Sequence, residues 1–152
     1  MRDLTSQRTN LLLDNEAVGR LGVVSDGDPY VTGCSFVHND GTVYLRTAPG
    51  KRLSAIEAHP RVCLEVSTWE KTTGEWRSIV ALGNARLVDD PETEAMAIRL
   101  LRDKYRRITR SRLEMPPDEP GEAGVVVAIE IDDMTARTSG TGLDDQMNPG
   151  RL

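Results

Sequence analysis

The sequence predicts an α+β protein, mainly β, in which six strands build an antiparallel sheet or barrel flanked by two or three helices. Three observations carry this. Short apolar runs are separated by turn-forming clusters, notably Ser25-Asp26-Gly27-Asp28-Pro29 and Asn39-Asp40-Gly41. One long segment has helical periodicity with both ends marked by capping residues. The 152 residues are 38% hydrophobic, enough for one core.

Residues 5–15 read as a helix with Leu11, Leu12 and Leu13 as its apolar patch and Gly19 just beyond. Residues 20–24 form a short strand, stopped by the first turn cluster. Residues 30–38 resume extended structure. After the second turn, residues 42–47 alternate, with Val43 and Leu45 on one side and Tyr44 and Arg46 on the other. These three strands are expected to form a meander. Leu53 and Ile56 give residues 51–58 helical spacing, and His59-Pro60 closes that helix. Residues 61–67 and 76–88 are the next two strands around a turn at Gly74, the second bent at Gly83. Asp90 caps the best helix, with Pro91 at its first position, Glu92 and Glu94 at the positive end of the dipole and Arg106 and Arg107 at the other. Ile98, Leu101, Tyr105 and Ile108 should face the core. Residues 115–124 read as a loop, and residues 125–131 as a strand buried on both faces. The division is a domain over residues 1–138 and a flexible tail over 139–152, which has little apolar content.

Composition excludes several functions. A net charge of −5 argues against a basic nucleic-acid binder, and 4% aromatic residues are too few for a base-stacking surface. No apolar run reaches the length of a membrane span, and the polar N-terminus MRDLTSQRTN is unlike a signal peptide. Cys34 and Cys63 stand apart from each other and from any histidine cluster, which disfavours a disulfide framework or a zinc site. The expectation is a cytoplasmic domain that binds neither metal, membrane nor nucleic acid.

The most informative stretch is Val43 to Leu53, VYLRTAPGKRL. A strand ends, a Pro-Gly turn follows, and a helix opens on two cations. Helix N-termini present amide N–H groups and a partial positive charge, which makes this an anion seat. Lys51 and Arg52 add full charges, Thr47 a hydroxyl, and Gly50 room for close approach. The competing reading is a solvated Lys-Arg pair at a turn. His38 and His59 flank turns and read as surface residues, and Cys34 reads as a small core residue without a thiolate-stabilising charge. Trp69 and Trp76 bracket the Gly74 turn, where hairpin packing accounts for them. No hydrolase triad, Walker or dinucleotide motif is present, so any chemistry would be carried by a cofactor.

The ordered set GRLGVVSDGDPYVTGCSF, VYLRTAPGKRL, HPRVCLEVS and WRSIVALGNARLV resembles the pyridoxamine 5′-phosphate oxidase-like, FMN-binding split-barrel proteins. It is most similar to the short actinobacterial-type members, whose pattern overlaps with nitroimidazole-resistance flavoproteins. The resemblance runs from about Leu11 to Ile131. It implies a six-stranded split β-barrel that dimerises with two flavins at the subunit interface. The phosphate would be held by Gly50, Lys51, Arg52 and Leu53, preceded by Arg46 and Thr47. The strand under the ring would be Val31, Thr32, Gly33, Cys34 and Ser35, and Trp76 and Ser78 would approach from a later strand. Relatives often carry Pro at the position of Gly33, Lys at that of Arg52, and Trp directly before the serine. Here Arg77 intervenes, which puts Trp76 on the opposite face unless a bulge restores it. The aromatic–arginine C-terminal element of true pyridoxamine phosphate oxidases has no match in SGTGLDDQMNPGRL, which argues against vitamin B6 oxidation.

The resemblance implies an FMN-dependent oxidoreductase acting on an unknown small molecule, as a homodimer, with a nicotinamide as candidate electron donor. The same barrel serves the deazaflavin F420, which is the alternative cofactor. A flavin-binding module that carries the cofactor without turnover is the alternative from another functional class. No acid or base is identified, so catalytic residues stay unassigned.

Overall fold

The computed structural model describes residues 3–109 and 124–139. The predicted loop at 115–124 and the tail at 139–152 lie almost wholly outside them. The elements run α1 (Asp3–Asn15), β1 (Gly19–Ser25), β2 (Asp28–Cys34), β3 (Val37–Asn39), β4 (Thr42–Thr47), α2 (Lys51–Ala58), β5 (Arg61–Trp69), β6 (Trp76–Leu87), α3 (Pro91–Ile108) and β7 (Val125–Thr138). All pairings are antiparallel, in the order β2-β1-β5-β6-β7-β4-β3. The sheet is not closed, as expected of a split barrel.

The two Asp-Gly turns form as read. Asp26 and Gly27 have φ of 52° and 83°, and Asp40 and Gly41 have φ of 50° and 78°, the left-handed pair of a two-residue hairpin. The expected meander does not form. β2 pairs with β1, β3 pairs with β4, and the two pairs occupy opposite ends of the sheet. The run predicted over 30–38 breaks at Ser35-Phe36, so the sheet has seven strands rather than six. At the break, the Phe36 amide donates to the Tyr105 hydroxyl at 3.0 Å, and its carbonyl accepts from Lys104 Nζ at 2.9 Å. The Phe36 ring itself is fully buried. The peptide groups on either side of Phe36 are thus satisfied by α3 instead of a neighbouring strand.

One core fills the barrel, built from Leu21, Phe36, Val43, Leu45, Leu64 and their neighbours, with Ala55 and Ile56 of α2 and Leu13 of α1 closing it. A second lies outside β4 and β7, where Tyr44, Val126 and Ala128 meet Ala97 of α3. Val127 and Ile129 point inward while Val126 and Ala128 point to the helix, so this part of β7 is buried on both faces. β7 runs on to Thr138, beyond the predicted end at 131. The bend at Gly83 is a β-bulge: Leu82 pairs with Asp133 but Gly83 pairs with Ile131. Asp132 is the extra residue, and its carboxylate accepts from both terminal guanidinium nitrogens of Arg61. A Cβ at Gly83 would lie 2.3 Å from the Glu130 carbonyl oxygen.

Asp90 caps α3 by accepting from the Thr93 amide at 2.9 Å. Its buried stripe differs from expectation. Ile98, Leu101, Tyr105 and Ile108 are half-buried, and the fully buried positions are Ala97 and Lys104, two turns apart on one face. In α1, Leu13 alone of the leucine triplet is fully buried and Leu11 is exposed, because successive helical residues point about 100° apart.

Lys104 is 4% exposed and donates to Leu13 O at 3.0 Å as well as to Phe36 O, with its ammonium 3.5 Å from the Phe36 ring centroid. It therefore ties α1, the β2–β3 break and α3 together. Burial pulls its pKa down to about 8, against the opposing pull of Asp14 and Glu16.

Two outcomes follow from this packing. Gly83→Ala should lose about 1–3 kcal/mol of stability in urea denaturation, because the new methyl meets backbone that is fixed by the bulge. For Lys104, the folded chain releases its proton near pH 8 and the unfolded chain only near 10.5. Between these values the unfolded state binds more protons, so the Lys104 contribution to stability rises with pH; below about 8 it is level. Burial raises the pKa of Tyr105 and Cys34, which act in the opposite sense at alkaline pH, so wild type must be compared with Lys104→Met at each pH. The stability difference should move in favour of wild type by up to about 3 kcal/mol across that window. A difference that stays constant with pH would contradict the assignment.

Candidate functional site

β4 ends at Thr47, and Ala48-Pro49-Gly50 carries the chain into α2. Gly50 is the N-cap and supplies no side-chain cap, and the first intrahelical bond runs from the Ser54 amide to the Gly50 carbonyl at 3.0 Å. The amides of Lys51, Arg52 and Leu53 therefore have no acceptor within the helix. A Cβ on Gly50 would meet open space within 4 Å, so the approach to these amides is clear. Lys51 is exposed, with its ammonium 4.5 Å from the Tyr30 ring centroid. Three amides, an ammonium and a guanidinium converge on one turn in a chain of net charge −5. This donor set suits a phosphate.

Arg52 is placed differently from a solvated turn residue. Its Nε donates to Thr47 Oγ1 at 3.0 Å, Nη1 to Thr32 Oγ1 at 3.1 Å and to Gly33 O at 3.3 Å, and Nη2 to Arg46 O at 3.5 Å. Thr32 and Gly33 belong to β2, at one edge of the sheet; Arg46 and Thr47 belong to β4, near the other. The guanidinium spans the gap that the sheet leaves open. Nη2, with its single long bond, is the end best placed for a further acceptor.

The structure thus gathers Thr32, Gly33, Arg46, Thr47, Gly50, Lys51, Arg52 and the Leu53 amide at one place. The Leu53 side chain is buried beneath α2. Val31 and Gly33 are exposed on the outer face of β2, Ser35 is exposed in the break, and Cys34 is buried at 9% exposure. Contrary to the sequence reading, two cations do act on Cys34: Arg52 and Lys104 pull its pKa down, but burial outweighs them and raises it. Both cysteines are free thiols. His38 is half-buried rather than superficial, and burial lowers its pKa against the pull of Asp14 and Asp40; His59 is exposed.

Trp76 and Ser78 do not join this cluster. Their strand, β6, is separated from β2 by β5 and β1, roughly 14 Å at the usual strand spacing. The register from Trp69↔Trp76 to Ser67↔Ser78 is unbroken, so no bulge reorients Trp76, and it shares the outer face with Ser78. On that face Ser78 Oγ donates to Glu65 Oε1 at 3.1 Å, and Arg20 pairs with Glu65 Oε2 at 3.4 Å. Arg20, Glu65 and Tyr30 were not singled out from the sequence. A carboxylate at an outward position of the apolar run VCLEV was the available signal for Glu65. A separate cleft of about 230 Å³ at the β5–β6 tip is lined by Thr68, Trp69, Glu70, Thr73, Glu75 and Arg77. Its two carboxylates make it a poor anion seat.

The sequence model of the family described as pyridoxamine 5′-phosphate oxidase matches residues 5–138. The chain belongs to this family. The match spans every strand of the split barrel and the α2 seat. No curated protein matches the chain. Among solved structures, a candidate 5-nitroimidazole antibiotic resistance protein from Bacteroides thetaiotaomicron is similar over 87% of this chain and 82% of its own, at 20% identity and a TM-score of 0.71. An FAD-binding protein from Mesorhizobium loti is 23% identical over 92% of this chain and 96% of its own, with a TM-score of 0.71. An FAD-binding protein from Mycobacterium smegmatis is 24% identical over 88% of this chain and 95% of its own, with a TM-score of 0.64. At these identities the likeness to this pyridoxamine 5′-phosphate oxidase family member is one of fold. Among the described residues, no helix is long and apolar enough to cross a membrane.

The Arg52 contacts give a direct test. Arg52→Ala should lower the unfolding free energy by about 1.5–3 kcal/mol, since a charged donor set is removed from both edges of the gap. Lys51→Ala should stay within about 0.5 kcal/mol of wild type. Equal effects in urea denaturation would mean that the two cations are interchangeable surface residues.

Proposed function

We propose that this family member is a flavoprotein that binds FMN through its phosphate at the N-terminus of α2 and acts as an oxidoreductase on a small molecule. The convergence of the α2 amides, Lys51 and Arg52 on one open turn carries the reading. The family match supports it, as do the FAD-binding proteins that share the fold. The turn offers donors for a single phosphate group, which favours FMN over a dinucleotide. That two neighbours of this fold are FAD-binding proteins favours a flavin over the deazaflavin F420.

In this reading Lys51 supplies a mobile point charge to the phosphate, and the α2 amides fix its position. Thr32 and Thr47 hold the Arg52 guanidinium at the first turn of α2, with only the long bond to the Arg46 carbonyl on Nη2. The bound flavin supplies two-electron chemistry, which the side chains themselves lack. The outer face of the sheet bears exposed Val18, Val24, Val31 and Trp69, an apolar surface that a second copy of the chain would cover. Covering it would exclude water from a ring lying there and strengthen polar contacts to it.

Fluorescence titration of FMN, riboflavin and FAD tests the phosphate assignment. FMN should bind at least about tenfold more tightly than riboflavin, and Lys51→Ala should remove most of that difference while leaving riboflavin affinity unchanged. Equal affinity for FMN and riboflavin would refute the seat, and failure to bind either would refute the flavoprotein. Light scattering should return twice the 16.8 kDa chain mass.

A further inference from the structure

The outer face carries a hydrogen-bonded row that the phosphate seat does not use. Arg20 of β1, Glu65 of β5 and Ser78 of β6 lie on adjacent strands, and Arg20 stands in register with both Gly33 of β2 and Glu65. Ser78 Oγ is 3.1 Å from Glu65 Oε1, while Arg20 Nη1 is 3.4 Å from Glu65 Oε2. An ionised carboxylate can only accept hydrogen bonds, so the proton in the Ser78–Glu65 bond comes from the serine. Ser78 is left with lone pairs and no proton to give. A hydroxyl that could otherwise turn either way has become a fixed acceptor.

A donor stands beside it. Arg137 of β7 lies directly across from Ser78 in the register, and it is exposed. Guanidinium only donates. An acceptor next to a donor is complementary to a cyclic imide, whose edge reads carbonyl, N–H, carbonyl. The pyrimidine ring of a flavin, and equally of a deazaflavin, has that edge. Val80 on the same face of β6, with Val24 and Val31 beyond it, gives the surrounding surface the apolar character a flat ring needs.

We propose that Glu65 is a positioning residue of the cofactor site: by taking the Ser78 proton it fixes Ser78 as the acceptor for the imide N–H of the ring, with Arg137 donating to a flanking carbonyl. This rests on the flavoprotein reading. It adds a selection on the ring that is independent of the phosphate and holds Ser78 through a residue that never touches the ligand.

Riboflavin and its N3-methyl derivative test it, because neither has a phosphate and they differ only at the imide N–H. Wild type should bind riboflavin about tenfold more tightly than the methylated form. Glu65→Gln and Ser78→Ala should each bring the ratio of the two affinities to about one, and the double variant should lose nothing more. Circular dichroism matching wild type reports an intact fold; if Glu65→Gln does not fold, Ser78→Ala carries the same expectation. Retention of the preference in either variant overturns the proposal, as does its absence in wild type, and in both cases the flavoprotein reading survives. A wild type that binds neither compound overturns both.

Discussion

Phe36 has its amide and carbonyl bonded to two consecutive side chains of α3, Tyr105 and Lys104, and most of the architecture depends on that arrangement. A strand that continued through Ser35-Phe36 would carry β2 straight into β3. The interruption instead sends the two hairpins to opposite ends of the sheet and leaves a gap between them. Buried peptide groups need partners wherever the chain leaves a ladder, and a lysine and a tyrosine reaching in from a helix provide them. The cost is a buried ammonium, visible in its lowered pKa. The ring of Phe36 beneath it and the carbonyl of Leu13 offset part of that cost.

The gap is also where the candidate site forms. Arg52 reaches from the first turn of α2 to both edges of the opening, so the residue best able to meet an anion is also a link between β2 and β4. Its planar fork suits this double duty better than the single ammonium of a lysine would. The nearby Lys51, held only against the Tyr30 ring, is the more adaptable charge. A phosphate bound here would therefore touch one rigid and one mobile cation, which separates the positioning of the ligand from the strength of its electrostatic attraction.

The outer surface of β1, β5 and β6 has a different character. Alternation puts the barrel core on one side of these strands and Arg20, Glu65, Ser78 and the exposed Val24 and Trp69 on the other. A charged pair in the middle of an apolar sheet face is costly to cover unless each polar atom keeps a partner. The bonds from Ser78 and Arg20 give both oxygens of the Glu65 carboxylate a partner, which lowers the cost of covering this face.

The sequence by itself determined the elements whose signals are local. The Asp-Gly hairpins, the Asp90-Pro91 start of α3, the bend at Gly83 and the two-sided burial of Val126–Ile129 were legible because turn chemistry, capping and side-chain alternation act over a few residues. The stretch from Arg46 to Leu53 was legible as an anion seat for the same reason: a strand end, a Gly turn, two cations and a helix start are contiguous. The tertiary structure alone decided that Ser35-Phe36 breaks the strand, that Lys104 is buried, that Arg52 joins β2 to β4, and that Glu65 holds Ser78. Their partners lie up to 91 residues away, and even Arg52, whose β4 partners Thr47 and Arg46 are five and six residues back, reaches β2 at Thr32, 20 residues back; the pairing of distant strands and helices leaves no periodicity in the sequence at either end.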